Sequence, residues 1–381
     1  MTTEAYIETL NKTKLASARH CRIIIAGGGT GGHIFPAIAI ANAIKRKEAI
    51  SEILFVGAEG KMEMEKVPEA GYKIVGLPIA GYNRSSLLKN IGLPFKLLKS
   101  FLKVRQIIAS FKPDAVVGVG GYSSFPILRY AQSKGIATFI HEANSFAGKS
   151  NMILAKRASK IFVASDGMKQ FFPYSTVVIT GNPIRNVFSE SNIIRKEAIE
   201  FFGLKPEFVT IFIMGGSLGA KSINETIEVN LNFFIKNNLQ IIWQTGKNYA
   251  PKAATIEEFH SNIFTSAFIS KMEYAYGAAD IVISRAGAMA IAELCVVGKP
   301  VIFVPYPFAA EDHQAANAMA LVNKKAAIMV RDSEVGEKLI DSIKMLVDDK
   351  ELCLQMREQI TKLANTKADE IIADEILNFI N

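Results

Sequence analysis

Between Ile23 and Pro36 the chain reads IIIAGGGTGGHIFP: an apolar run, then glycines, a histidine and the start of a helical pattern. A glycine turn ahead of a helix leaves backbone N–H groups open to a phosphate, with the helix dipole behind them. An imidazole at the edge of such a turn titrates near neutrality, so His33 is a candidate general base. Orienting a phosphate or capping the helix is the alternative role for the same side chain. Two further glycine clusters follow apolar runs, GVGGYSSFP at Gly118–Pro126 and GGSLGAKS at Gly215–Ser222. His141 and Glu142, at the end of the run ATFIHE, are the other candidates for acid–base or ligand-orienting work.

The identity of the phosphate is constrained by what the motifs lack. Gly27, Gly29 and Gly32 satisfy G-x-G-x-x-G, but a dinucleotide site wants an acid at the end of the second strand, about 20 residues on. That strand reads EILFVGAEG, with Glu59 beyond a further glycine, so a nicotinamide or flavin site fits poorly. GGSLGAKS misses the nucleoside triphosphate loop by one residue, since Ala220 stands where a glycine is required. Three glycine turns, each at a strand end, suit a diphosphate held by main-chain amides without a metal. No D-x-D stands at a strand end. No catalytic metal and no other cofactor is expected.

The elements that must position these groups form a repeating pattern. Eleven short apolar runs alternate with helical stretches: CRIIIAG, EILFVGA, AVVGVG, ATFIHE, KIFVAS and TVVITGN, then VTIFIMGG, LQIIWQTG, IFTSAFI, DIVISRAG and PVIFVPY. Continuous apolar strands separated by helices indicate parallel sheets built from βαβ units. Each half opens with a strand, a glycine turn and a helix, which predicts two Rossmann-like domains of an α/β protein facing across a cleft. The expected division is a polar extension at 1–19, domains at 20–186 and 187–365, and a C-terminal amphipathic helix at 366–381. The length of 381 residues suits two cores.

Composition excludes several classes. No uninterrupted apolar stretch reaches about 18 residues, so no bilayer-spanning helix is expected. The acid-bearing N-terminus MTTEAYIETLNKTK lacks the apolar segment of a signal peptide. Cys21, Cys295 and Cys353 match neither a zinc spacing nor a disulfide framework, which suits a reducing cytoplasm. Lys and Arg outnumber Asp and Glu by 44 to 36, and the excess is local. Between Ala70 and Pro113 there is no acid, while Lys73, Arg84, Lys89, Lys96, Lys99, Lys103, Arg105 and Lys112 supply the whole net charge of +8. Within GLPFKLLKSFLKVRQII, Leu93, Leu97, Phe101, Val104 and Ile108 recur at helical spacing, and Lys96, Lys99 and Lys103 line another stripe. Such a helix can lie on anionic headgroups, or its apolar stripe can face the core while the neighbouring YNRSSLLKNIG loop meets lipid. The aromatic–basic interleaving of a nucleic-acid module is absent, and no nucleic-acid partner is expected.

Seven ordered motifs, GGGTGGHIFPAIAIA, GVGGYSSFP, IHEANSFAGKSN, GNPIR, GGSLGAKSIN, SRAGAMAIAEL and PYPFAAEDHQAANA, resemble those of the bacterial peptidoglycan N-acetylglucosaminyltransferase family, from about Cys21 to the C-terminus. The resemblance implies the GT-B fold. It also implies transfer of GlcNAc, with inversion, from UDP-GlcNAc to the C4 hydroxyl of the MurNAc unit on undecaprenyl diphosphate, converting lipid I to lipid II. Expected partners are then UDP-GlcNAc, lipid I, an anionic membrane surface and proteins of cell-wall synthesis and division. The expected location is the cytoplasmic face of the inner membrane, peripherally bound.

By the same resemblance, Thr30, Gly31 and Gly32 meet the donor sugar or the acceptor diphosphate, and Asn144 hydrogen-bonds GlcNAc. Arg185 and Ser217 face the donor diphosphate, where a guanidinium suits a leaving group gaining charge. Ile269 packs at the uracil, Met289 and Ala290 belong to the donor site, and Glu293 accepts the ribose hydroxyls. Gln314, with His313 beside it, holds GlcNAc hydroxyls. Gly29, Gly120, Gly121, Tyr122 and His141 belong to the acceptor side. The competing readings are a GT-B glycosyltransferase or sugar-nucleotide epimerase with a soluble substrate, and a binding-only protein.

Overall fold

The computed structural model describes residues 20–79, 93–173, 175–184, 193–216, 218–309 and 312–380. The extension at 1–19, the loop carrying Arg84 and Lys89, and the candidates Arg185 and Ser217 lie outside the described residues. The chain forms two compact units, Met1–Ile184 with Lys367–Asn381, and Arg185–Thr366.

In the first unit seven strands make one parallel sheet: β1 (Arg22–Ala26), β2 (Glu52–Ala58), β3 (Lys73–Leu77), β4 (Ala115–Gly118), β5 (Ala137–Glu142), β6 (Lys160–Val163) and β7 (Val177–Ile179). Their order is β3-β2-β1-β4-β5-β6-β7. The run Ile23–Ile25 is wholly buried because helices cover both faces: Ile23 and Ile25 join one core cluster and Ile24 the other. Each such isoleucine contributes about 1.5–3 kcal/mol of burial free energy. The order reverses direction at β1, so the crevice beyond the C-terminal ends of β1 and β4 is the place where this topology binds ligands.

The second unit repeats the plan with β8 (Val209–Met214), β9 (Leu239–Gln244), β10 (Ile263–Ser266), β11 (Ile281–Ser284), β12 (Val301–Phe303) and β13 (Ile328–Met329), in the order β10-β9-β8-β11-β12-β13. All pairings are again parallel, and the switch point lies between β8 and β11. The two strands that the eleven apolar runs do not include, β3 and β13, are both at sheet edges. Gly76 interrupts the first, and the second is two residues long.

The C-terminal helix, Ala368–Ile380, is part of the first unit rather than a separate element. Its Ile372, Ala373, Ile376 and Leu377 enter the same core as Ile40 and Ile44 of the Gly31–Lys47 helix. Asp369, nearly buried, takes a 2.7 Å hydrogen bond from Arg46, and Asp374 pairs with Lys47 at 2.9 Å. Burial and charge together fix the helix behind the glycine turn.

The basic helix runs over Leu93–Phe111. Only its C-terminal half turns an apolar stripe inward, through Val104, Ile107 and Ile108. Its N-terminal half leaves Phe95, Leu98 and Leu102 at 72%, 61% and 57% exposure, interleaved with Lys96 and Lys99. Lys103 is paired with Glu59 at 2.9 Å.

Candidate active site

The first glycine turn connects β1 to the helix Gly31–Lys47, whose N-cap Thr30 has an extended backbone. Gly31 and Gly32, in the opening turn, present amides that have no intrahelical acceptor, the arrangement that attracts phosphate. His33 lies on the same turn of helix. Its Nδ1 is 3.0 Å from the Gly28 carbonyl oxygen. A carbonyl only accepts, so Nδ1 carries the proton, and in the neutral ring Nε2 is left with its lone pair. Loss of hydration lowers the His33 pKa below the usual 6.5, against the opposing pulls of the Gly28 carbonyl and the Glu142 and Glu63 carboxylates. At neutral pH the ring is therefore a base with one defined acceptor nitrogen.

Not every amide of this turn faces a ligand. Gly27 N–H bonds the Val56 carbonyl at 3.2 Å, and Gly29 N–H donates to Glu63 Oε2 at 2.8 Å. Gly29 therefore serves the turn's internal bracing, and its amide is not open to an acceptor phosphate. The glycine cluster after β4 packs directly on this turn. A side chain on Gly121 would meet the Gly28 carbonyl oxygen at 2.4 Å, and Gly120 and Gly121 have φ of +98° and +89°. Ser124 ties the two turns together, its one hydroxyl proton shared between the Ala26 and Gly120 carbonyl oxygens at 2.8 and 2.9 Å. Tyr122 is exposed at the edge of the cluster.

The strand β5 delivers His141 and Glu142 side by side in sequence but on different duties. His141 is buried, and neither ring nitrogen has a hydrogen-bond partner among the described residues. Burial pushes its pKa down to about 4, which the Gly181 backbone and Asn182 amide offset only in part, and the nearby His33 pushes the same way as burial. Glu142 is a bracket for the loop that follows. Its two oxygens accept from Asn144 N and Nδ2 at 3.2 Å each, from Gly148 N at 3.0 Å and from Asn151 Nδ2 at 2.8 Å. A carboxylate with four donors already on it has little capacity left for proton transfer. It holds Asn144 instead.

In the second unit the turn after β8 packs on the turn after β9, since a side chain on Gly219 would meet the Thr245 carbonyl oxygen at 2.1 Å. Ala220 is the extended N-cap of the helix Lys221–Val229, and Lys221 lies out in solvent at 84% exposure, 3.7 Å from Glu225. The exposed lysine and the alanine at the glycine position both depart from a nucleoside triphosphate loop. Gln244, at the end of β9, donates to the Gly216 carbonyl at 3.2 Å and accepts from Ile269 N–H at 3.0 Å. The Ile269 amide is thus held by Gln244.

Gly287 caps the helix Ala288–Val297, whose first turn contains Met289 and Ala290. Glu293, one turn further on, is buried rather than a surface carboxylate, and Tyr276 Oη donates to it at 3.4 Å. Arg285 fixes the neighbouring loop through Asp332 at 2.5 Å and through the Val304 and Pro305 carbonyls at 3.1 Å each. Gln314 Oε1 accepts from Tyr306 N–H at 3.0 Å. Gln244, Arg285 and Glu63 are the braces that sequence reasoning did not single out. Each acts on a backbone group far away in the chain, which leaves no local signature.

The sheets, turns and terminal braces define the class. Residues 23–163 match the glycosyltransferase family 28 N-terminal domain and residues 210–374 the glycosyltransferase family 28 C-terminal domain. The chain belongs to glycosyltransferase family 28, and its fold is the two-domain GT-B fold. It is 50% identical over 366 residues to a Parabacteroides distasonis protein named UDP-N-acetylglucosamine--N-acetylmuramyl-(pentapeptide) pyrophosphoryl-undecaprenol N-acetylglucosamine transferase, covering 95% of this chain and 99% of that one. A Bacteroides thetaiotaomicron protein of the same name is 49% identical over 364 residues, covering 94% and 98%. Among solved structures, Acinetobacter baumannii MurG aligns at 27% identity with a TM-score of 0.72, over 94% of this chain and 100% of that one. A UDP-GlcNAc 2-epimerase from Neisseria meningitidis, at 16% identity and a TM-score of 0.68 over 94% of this chain and 100% of that one, shares the fold alone.

Proposed function

We propose that this enzyme transfers GlcNAc, with inversion, from UDP-GlcNAc to the C4 hydroxyl of MurNAc-(pentapeptide)-pyrophosphoryl-undecaprenol. The observation that carries the chemistry is the 3.0 Å contact between His33 Nδ1 and the Gly28 carbonyl, which leaves Nε2 as a proton acceptor. In the reaction His33 Nε2 takes the C4 hydroxyl proton as that oxygen bonds the GlcNAc anomeric carbon. The bond from that carbon to the UDP oxygen breaks on the opposite face, and the electron pair leaves on the diphosphate.

The first-turn amides around Met289 and Ala290, with Arg185 and Ser217, receive the diphosphate charge; Glu293 takes the ribose hydroxyls, and Ile269 takes the uracil edge. Thr30, Gly31 and Gly32 meet the donor sugar or the acceptor diphosphate, Asn144 and Gln314 hold GlcNAc, and Gly120, Gly121, Tyr122 and His141 face the acceptor. Main-chain dipoles at a helix start stabilise a developing anion with no metal, and the reaction is proposed to need none.

The acceptor is a lipid, and the helix Leu93–Phe111 supports peripheral attachment to an anionic surface such as the inner face of the cell membrane. Phe95, Leu98 and Leu102 are exposed beside Lys96 and Lys99. No helix among the described residues is long and apolar enough to cross a membrane. Contact with other proteins of wall synthesis and division belongs to the same proposal.

The test is UDP release with a lipid I analogue and a soluble sugar acceptor across a panel of UDP-sugars, with and without EDTA. The expected result is turnover confined to UDP-GlcNAc and the lipid I analogue, unchanged by EDTA. Turnover only on a soluble acceptor, or epimerisation of UDP-GlcNAc without transfer, would overturn the reading.

A further inference from the structure

Glu63 is a fully buried acid at the start of the helix Glu63–Glu69, directly after β2 and its turn. Its hydrogen bonds point away from its own helix. Oε1 accepts from Ala58 N–H at 2.9 Å, and Oε2 accepts from Gly29 N–H at 2.8 Å. Two glycines make room for it: a side chain on Gly28 would sit 2.1 Å from Oε1, and one on Gly57 would sit 2.5 Å from Cγ. The Gly29 N–H belongs to the same peptide group as the Gly28 carbonyl, and that carbonyl accepts the His33 Nδ1 proton at 3.0 Å.

We propose that Glu63 is a positioning residue for His33 and acts on it through the single Gly28–Gly29 peptide. The proposal rests on the reading that His33 takes the acceptor's proton. Two hydrogen bonds run head to tail: imidazole N–H to carbonyl, then peptide N–H to carboxylate. A charge at one end of such a chain polarises the middle, and the Gly28 oxygen becomes a stronger acceptor for the ring. The tautomer is held, and the positive charge that His33 gains in the reaction is stabilised without a carboxylate touching it. The arrangement does the work of the acid in a Ser-His-Asp triad, with one peptide interposed. Burying a carboxylate is costly unless its hydrogen bonds are satisfied, and here each oxygen takes one N–H; a neutral amide would set its NH2 donor against one of the two. The charged groups that bear on His33 are Glu63, Glu142 and, when protonated, His141.

The experiment uses Glu63→Gln, Glu63→Asp, His33→Ala and the Glu63→Gln/His33→Ala double variant of the whole chain, with selective nitrogen-15 labelling of the five histidines. Wild-type His33 is expected to carry its proton on Nδ1, and Glu63→Gln to redistribute it toward Nε2. Glu63→Gln is expected to lower kcat about 10–100-fold, the size of effect a misplaced catalytic group produces, with the KM for UDP-GlcNAc within about twofold. Glu63→Asp is expected to recover part of the loss. In the His33→Ala background Glu63→Gln is expected to cost no further activity, because residues acting as one unit are not additive.

A wild-type proton on Nε2 would overturn the proposal even if Glu63→Gln failed to fold. So would Glu63→Gln slowing the His33→Ala enzyme by the same factor as wild type. If His33→Ala alone kept its turnover, the base assignment would fail, while loss of the Nδ1 proton in Glu63→Gln would still establish the positioning.

Discussion

Gly120 and His33 are in such close register that a Cβ on Gly120 would lie 2.6 Å from His33 Cδ2 and 2.7 Å from Nε2. The absent side chain is what leaves space beside the nitrogen proposed to take the proton. Gly120→Ala puts a methyl there and also forces a non-glycine residue into φ of +98°. The expected outcome is a loss of kcat of at least about 100-fold with UDP-GlcNAc affinity kept within about threefold, since misplacing a catalytic group by about 1 Å costs that much. Isothermal titration with UDP-GlcNAc beside a UDP-release assay checks it, and equal losses of binding and turnover would point to misfolding instead.

The pH dependence follows from two lowered histidines. His33 works only as the neutral base, and its pKa lies below 6.5, so kcat/KM is flat at neutral pH and falls only as pH drops under that value. An acid limb at or above 6.5 in a pH–rate profile would contradict the lowered His33 pKa. His141 bears on stability. In the unfolded chain it binds a proton near 6.5, and in the folded protein only near 4. Between those values the unfolded state binds more protons, so stability is full above the upper value and declines as pH falls, by up to about 3 kcal/mol for this group. Denaturant midpoints at pH 7 and 4.5 should differ less in His141→Asn than in wild type.

The lipid-facing helix makes a separable prediction. Reversing Lys96 and Lys99 to Glu changes four charges near an anionic surface, each about 1 kcal/mol. Vesicle sedimentation should show binding reduced by at least about 100-fold at low salt, with turnover on a short-chain lipid I analogue intact. Lys103 is left unchanged because it is paired with Glu59. Unaltered vesicle binding would place attachment elsewhere in the chain.

On the donor side, Glu293→Gln keeps the volume and removes the charge. Hydrogen bonds to a charged group are worth about 1.5–3 kcal/mol, so UDP-GlcNAc should bind about 10–100-fold more weakly, and UDP should lose affinity in step because both carry the ribose. A loss confined to kcat would remove Glu293 from the ribose.

What could be seen in the sequence was what repeats locally. The runs IIIAG and VTIFIMGG announce buried parallel strands because both faces of each strand must be apolar. Gly76 and the brevity of Ile328–Met329 hide β3 and β13, whose edge positions demand less of them. The helix Ala368–Ile380 is visible by its period, but its membership of the first unit rests on pairs such as Arg46 with Asp369, which are remote in sequence. His33 was legible because it ends a glycine turn. Glu63 was not, because a lone acid after a strand has no pattern, and only the space left by Gly28 and Gly57 reveals its place. Nor do the glycine turn and the run IFTSAFI announce that the Gly29 and Ile269 amides donate to Glu63 and Gln244, partners remote in sequence.

The central claim is that His33 Nε2 takes the acceptor's proton, and single-turnover kinetics of His33→Ala test it most directly. With UDP-GlcNAc affinity verified by titration, the rate on a lipid I analogue is expected to fall about 10²–10⁴-fold, and the acid limb of the wild-type profile to vanish. A His33→Ala enzyme that turns over within about tenfold of wild type, and keeps that limb, would contradict it.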